Sequence, residues 1–489
     1  MILALALALA LALALALALA LALALATGTA QGAPADEKLT TQSDQTEVAV
    51  TIYNNDLALV KDQRKVNLGA DLNKLAWRDV AARMQPETAL LRNLSDAKGF
   101  RLLEQNFDFD LLTPQTLLEK YVGKQVTVIS TNPATGAETR EAATVLATNG
   151  GTVLKFGDRI ETGVPGRLAF AGVPDNLRDR PTLVMSVVNP RAGLQNLELS
   201  YLTGGLSWRA DYVAELSGQD DKMDLNGWVT LTNQSGASYH NARLQLVAGD
   251  VNRVQTAMQA TVLRGKMQAQ VAEAAPLAQE NLFEYHLYTL NRPTTLAEQQ
   301  TKQVALLSAT GIPVRKSLEL RGAAYYYQGS YGDLGQKLKV GVFVEFDNKG
   351  AGLGLPLPKG VMRLYKKDSA GNAQFIGEDS IDHTPKNERV RLKLGEAFDV
   401  TADRKQTDFQ KIGVSGRYNN VFESAYQITL KNAKNQQVTV KVFEPMPGDW
   451  QVLSESLPHT KEAAGTALWQ VPVAAEGKTV LTYRVRVKY

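Results

Sequence analysis

The closing stretch of the chain, "VLTYRVRVKY" from Val480 to Tyr489, places an apolar or aromatic side chain at every second position. Leu481, Tyr483, Val485, Val487 and Tyr489 fall on one side of an extended strand, and Arg484, Arg486 and Lys488 on the other. A period of two describes a strand with one dry and one wet face, not a helix stripe. The pattern recurs upstream. Leu197, Leu199 and Tyr201 alternate with Glu198 and Ser200, and Trp208, Ala210, Tyr212 and Ala214 alternate with Arg209, Asp211 and Glu215. Leu225, Val229 and Leu231 follow, then Leu244 and Leu246, with turns at Gly204-Gly205 and Gln234-Ser235-Gly236. Leu338, Val340, Val342, Val344 and Phe346 make another face, as do Val390, Leu392 and Leu394, Tyr426, Ile428 and Leu430, and Val438, Val440 and Val442. Turns spaced about eight to twelve residues apart between such runs predict an all-β chain built of immunoglobulin-like antiparallel sandwiches.

Other stretches depart from this rhythm. Residues 1–35 open with an uninterrupted Leu/Ala tract that, as a helix from Ile2 to Ala26, would run roughly 37 Å. Small-residue sites follow at Gly28-Thr29-Ala30 and Ala33-Pro34-Ala35, so a cleaved export signal is favoured over an uncleaved anchor. Either reading puts the remainder in the periplasm or at the cell envelope, with membrane contact only through this tract. Residues 36–45 are polar and predict a flexible leader. An N-terminal β region spans 46–181, with hairpin chemistry at Asn54-Asn55-Asp56 and a short helix over 113–122 capped by Thr113. It includes a small barrel or meander at about 124–172, where short runs alternate with Gly and Pro turns. A first sandwich region covers 182–255, an Ala/Gln-rich helical or mobile insertion 256–281, and a second sandwich 282–489. With no cysteine in the chain, burial alone must hold these regions.

Chemistry is sparse. Four histidines, His240, His286, His383 and His459, lack metal-ligand spacing, and no metal site or cofactor is expected. His383 beside Asp382 is the one suggestive pair, more simply read as a turn histidine. No G-x-S-x-G elbow occurs, and Ser207 lies in a strand pattern. Asp108 and Asp110 in "FDFD" read as the wet side of a strand whose Phe107 and Phe109 point inward; with Glu378 they are the carboxylates an enzyme would use. "DLNG" at Asp224 has Ser235 where a calcium loop needs a glutamate. Tyr325, Tyr326 and Tyr327 alternate if extended, so Tyr325 and Tyr327 share a face on which a sugar ring can stack. A net charge of +3, without a basic and aromatic cluster, argues against nucleic acid.

Five segments in fixed order, "YLTGGLSWRADYVAEL", "LNGWVTLTNQSGASYHNARLQLVAGDV", "EQQTKQVALLSATGIPV", "GLGLPLPKGVMRLYKKDSAGNAQFIGEDSIDHTP" and "LTYRVRVKY", resemble an uncharacterised bacterial family, a domain of unknown function related to the C-terminal region of mucoidy inhibitor A-like proteins. The resemblance implies an exported all-β protein and supplies no catalytic residues. The expectation is a non-catalytic envelope module that binds or scaffolds a protein or glycan, with Tyr325, Tyr327, Asp382 and His383 as candidate contacts. A carboxylate-dependent enzyme acting on envelope polymers is the alternative. An integral outer-membrane barrel is a weaker one, suggested by the aromatic last residue.

Overall fold

The computed structural model describes residues 37–54, 56–164, 166–174, 177–249, 278–282, 285–415 and 418–489. The Leu/Ala tract and its cleavage sites lie outside these residues, as does the insertion reading over 256–277; Ala278–Leu282 is a strand. The fold is all-β, with one short α-helix among the described residues. Two compact units divide the chain: 1–47, 62–82 and 89–199 form one, and 48–61, 83–88 and 200–489 the other.

In the shorter unit, strands Lys38–Thr40, Asp71–Arg78, Thr182–Asn189 and Arg101–Asp108 form a sheet in that order. The polar stretch 36–45, expected as a flexible leader, is therefore corrected: Lys38–Thr40 pairs in parallel with Leu75–Trp77, and Thr41 and Asp44 close a capping box. What holds it is a buried polar cluster. Asp62 Oδ2 accepts from Arg64 Nε at 3.0 Å and from Trp77 Nε1 at 2.9 Å, while Arg64 Nη1 donates to the Thr40 carbonyl at 2.9 Å. The helix is Pro114–Lys120, capped by Thr113 and packed through Leu118 and Tyr121 on an antiparallel sheet. That sheet runs Ile160–Thr162, Val153–Lys155, Glu138–Ala147, Gln125–Thr131, Arg167–Ala169. The "FDFD" reading is corrected in one respect: the strand ends at Asp108, so Phe109 is 68% exposed.

In the longer unit, the first sheet runs Gln300–Pro313, Lys222–Asn233, Leu206–Leu216, Gly360–Lys367, Ala373–Ile381. Leu206–Leu216 lies parallel to Gly360–Lys367, so strands from 182–255 and 282–489 share one sheet, and the pairing is mixed rather than purely antiparallel. Parallel neighbours cannot be joined by a hairpin, so the partner is not the next strand in the chain.

The second sheet has nine strands: β1 (Arg315–Arg321), β2 (Asp333–Asp347), β3 (Arg389–Ser415), β4 (Tyr418–Asn432), β5 (Val438–Pro445), β6 (Asp449–Glu455), β7 (His459–Ala463), β8 (Thr466–Val473) and β9 (Lys478–Lys488). They lie in the order β6-β9-β4-β3-β2-β1-β5-β8-β7 and curl into a half-barrel instead of a flat sandwich layer. Only β1 and β5 pair in parallel. Ile428, Leu430, Val440, Val442, Trp469, Leu481 and Val485 fill the interior, as alternation predicts, at roughly 25 cal/mol per Å² of apolar surface removed from water. The row Leu338 to Phe346 is the exception. The register of β2 shifts repeatedly between Asp333 and Phe343, so Val342 packs on the core only partly buried, and Phe343, outside that core, is buried under Arg391.

At the Gly204-Gly205 turn, Gly205 has φ +82°, and a Cβ there would sit 2.4 Å from the Gln234 carbonyl oxygen. Gly204 has only side-chain atoms at 3.5 Å or more. Gly205→Ala is expected to lower unfolding stability by about 2 kcal/mol or more, with Gly204→Ala much milder. Urea midpoints of the two variants, measured side by side, check this.

Candidate functional site

Alternation places two charges inside the half-barrel. Val400, Ala402, Arg404 and Gln406 share one phase of β3, and Val440, Val442 and Glu444 one phase of β5. Arg404 and Glu444 are 1% and 0% exposed, and Arg404 Nη2 donates to Glu444 Oε1 at 2.6 Å. The Tyr327 hydroxyl donates to Glu444 Oε2 at 2.8 Å and lies 2.9 Å from the Tyr483 hydroxyl. Gly322 leaves room for this carboxylate, since a Cβ there would lie 2.1 Å from Oε2.

Burial pushes the Glu444 carboxyl up, against the pull of Arg404 and Tyr327. Burial alone would lower Arg404, but Glu444 and the surrounding Tyr483, Tyr326 and Tyr327 together outweigh it and hold the guanidinium above its ordinary range. With an arginine and a hydroxyl both donating to the carboxylate, we assign the pair as ionised at neutral pH. Burial likewise pushes the Tyr327 and Tyr483 phenols well up, and Tyr426 to about 12, so all three remain neutral donors.

The network also pins the turn above it. The Tyr426 hydroxyl donates to the Tyr326 carbonyl at 2.6 Å, and Gln406 Nε2 donates to the Gly329 carbonyl at 3.0 Å. The alternating reading of the tyrosines is corrected accordingly: Ala324–Tyr327 is a 3-10 turn, not a strand. Tyr326 and Tyr327 are buried, and Tyr325 is 53% exposed, edge-on to Tyr331 with ring centroids 5.5 Å apart. A 3-10 turn places successive side chains about 120° apart, so Tyr325 and Tyr327 do not share a face.

Beside this turn a groove of about 390 Å³ runs over β1, β2 and β3. Tyr326, Leu320 and Phe343 give it apolar surface, and its charges are Arg321, Lys339, Lys393 and Arg404 against Glu319 and Glu396. The register of β2 shifts repeatedly beside the groove, and irregular strands of this kind often flank functional sites. Glu319, 4% exposed, accepts from Arg391 Nη2 at 2.5 Å and Arg321 Nη2 at 3.1 Å. Burial raises its carboxyl, but Arg391, Arg321 and Ser317 outweigh that and hold it below the usual glutamate range. Arg391 also covers the Phe343 ring at 3.7 Å. Lys339 and Lys393 are exposed, and neither side chain pairs with a carboxylate among the described residues.

The other candidates make local contacts. His383, on the loop after Ala373–Ile381, accepts from the Lys359 N–H through Nδ1 at 3.2 Å, with the Asn54 amide 3.5 Å from Nε2. Neighbouring Asp382 is exposed, and its carbonyl accepts from Thr384 Oγ1. Each carboxylate an enzyme would use holds its own cation: Asp108 pairs with Arg178, Asp110 with Lys120 and Glu378 with Arg363. Arg404 and Glu444 were missed as site residues, although their signal was legible: each is a charge in the dry phase of an alternating run.

These features define an all-β protein with a half-barrel closed over a buried ion pair. Residues 197–489 match a family described as a domain of unknown function, DUF4139, and the chain belongs to that family. The groove and the buried network lie wholly within the matched region. No curated protein matches the chain.

Two measurements follow from this geometry. Arg404→Met alone is expected to destabilise by about 3–5 kcal/mol because Glu444 loses its cation, whereas Arg404→Met with Glu444→Leu restores most of that loss; chemical denaturation compares the two. Because the folded Glu319 carboxyl sits below its unfolded value, its contribution to stability is present above the ordinary glutamate range and lost as pH falls through the folded value. Carbon-13 titration of Glu319 should show that low value, moving upward in Arg391→Gln.

Proposed function

We propose that this protein is an exported component of the bacterial cell envelope, periplasmic or envelope-associated, that acts as a non-catalytic binding module for a glycan. The observation that carries the reading is the exposed tyrosine surface beside the groove. Tyr325 is 53% exposed, Tyr331 is 38% exposed, and Tyr326 continues the edge-to-face row into the groove with centroids 4.7 Å apart. Rings held this way, on a turn fastened from below by Tyr426 and Gln406, lose little freedom when a flat apolar sugar face stacks on them. Export is supported by the Leu/Ala tract and the small-residue sites that follow it. The ordered segments from "YLTGGLSW" to "LTYRVRVKY" also support kinship with the C-terminal region of mucoidy inhibitor A-like proteins.

Osmotic-shock fractionation is expected to release the chain with periplasmic markers, and its recovery with cytoplasmic markers would overturn the export reading. On immobilised envelope glycans, Tyr325→Ala is expected to weaken retention about 3- to 10-fold without changing the circular dichroism. Unchanged retention would remove the tyrosine surface from the proposal.

A further inference from the structure

The groove carries information the tyrosines alone do not. Its cations are of two kinds. Arg321 and Arg404 are committed, to Glu319 and Glu444 respectively, and form the wall and floor. Arg404 also lies 5.2 Å from the Tyr326 ring centre, and its Nε meets no acceptor among the described residues. Lys339 on β2 and Lys393 on β3 are exposed at the rim and hold no carboxylate. Among the described residues Glu396 is the one lining carboxylate besides the committed Glu319, so the groove they line has an excess of positive charge.

We propose that this groove takes an acidic saccharide, with Lys339 and Lys393 meeting its carboxylates and the Tyr325–Tyr331 pair meeting its ring faces. The inference rests on the glycan-binding reading above and adds the charge of the ligand. The Tyr326 ring and the Lys339 and Lys393 ammonium groups line one groove, and the Tyr325–Tyr331 pair continues from Tyr326, a set that suits a chain alternating apolar ring faces with anionic groups. An acidic peptide fits less well. Peptides that dock on sheets gain much of their affinity by pairing with an open strand edge. Here β2 is paired with β3 along its length and with β1 over Gly341–Glu345, and β1 is paired with β5, so the strands beneath the groove leave a peptide only the short edge of β2 before Gly341.

The test uses the purified full-length chain and calorimetric titration with hexagalacturonate, a neutral cello-oligosaccharide of equal length, and a glutamate hexapeptide. Hexagalacturonate is expected to bind at least about tenfold more tightly than the neutral oligomer, and to weaken as salt rises. Lys339→Gln with Lys393→Gln should abolish most of that preference, while Lys339→Arg with Lys393→Arg should retain it. Both replacements are at exposed positions, and matching circular dichroism would verify the fold. Equal binding of acidic and neutral oligomers, sensitive to Tyr325→Ala but not to the lysine changes, overturns the charge assignment and leaves the glycan reading standing. Tighter binding of the peptide overturns the saccharide assignment, and absence of binding to either saccharide removes both readings.

Discussion

A fully buried arginine and glutamate constrain the half-barrel more than any single apolar contact. Moving either ion into the interior without a partner costs several kcal/mol, so Arg404 and Glu444 are tolerable only where their strands bring them together. That requirement ties β3 to β5 across two intervening strands, and Tyr327 and Tyr483 complete the set from the turn and from β9. A one-residue slip of either strand would turn its charge to the outer face and strand its partner inside. The pair thereby disfavours wrong registers in a sheet whose other inward residues, mostly Val, Ile and Leu, are close to interchangeable.

The groove depends on the same network. Gln406 lies two residues from Arg404 in the same phase of β3, and together with Tyr426 it holds the Ala324–Tyr327 turn down. A turn pinned at Tyr326 and Tyr327 has to direct Tyr325 outward. Exposure of the Tyr325 ring therefore follows from burial of its neighbours. The shifts in β2 add the second ingredient, since they break its regular pairing with β3 beside the groove.

The shorter unit reaches a similar solution independently. Asp62 and Arg64 occupy the dry phase of "VKDQRKVNL" between Val60 and Val66, and Trp77 and Thr40 complete their hydrogen bonding. A chain without cysteine has no covalent staple, and in both units charge pairs sealed by aromatic donors help specify which strands meet. How far these pairs raise net stability is a separate matter, because replacing a buried pair with apolar residues is often neutral.

The residues alone determined the class of fold, because side chains on a pleated strand alternate and a dry face must be apolar at every second position. They also marked the capped helix at Pro114–Lys120, where Thr113, a first-turn proline and Gly123 act through local geometry. Only the tertiary structure decided which strands pair, as with Leu206–Leu216 beside Gly360–Lys367, since pairing across so many residues leaves no local trace. It decided equally that Tyr325 faces outward while Tyr327 is enclosed. Three consecutive tyrosines read the same in any conformation, and what separates them is a carboxylate more than a hundred residues further along the chain.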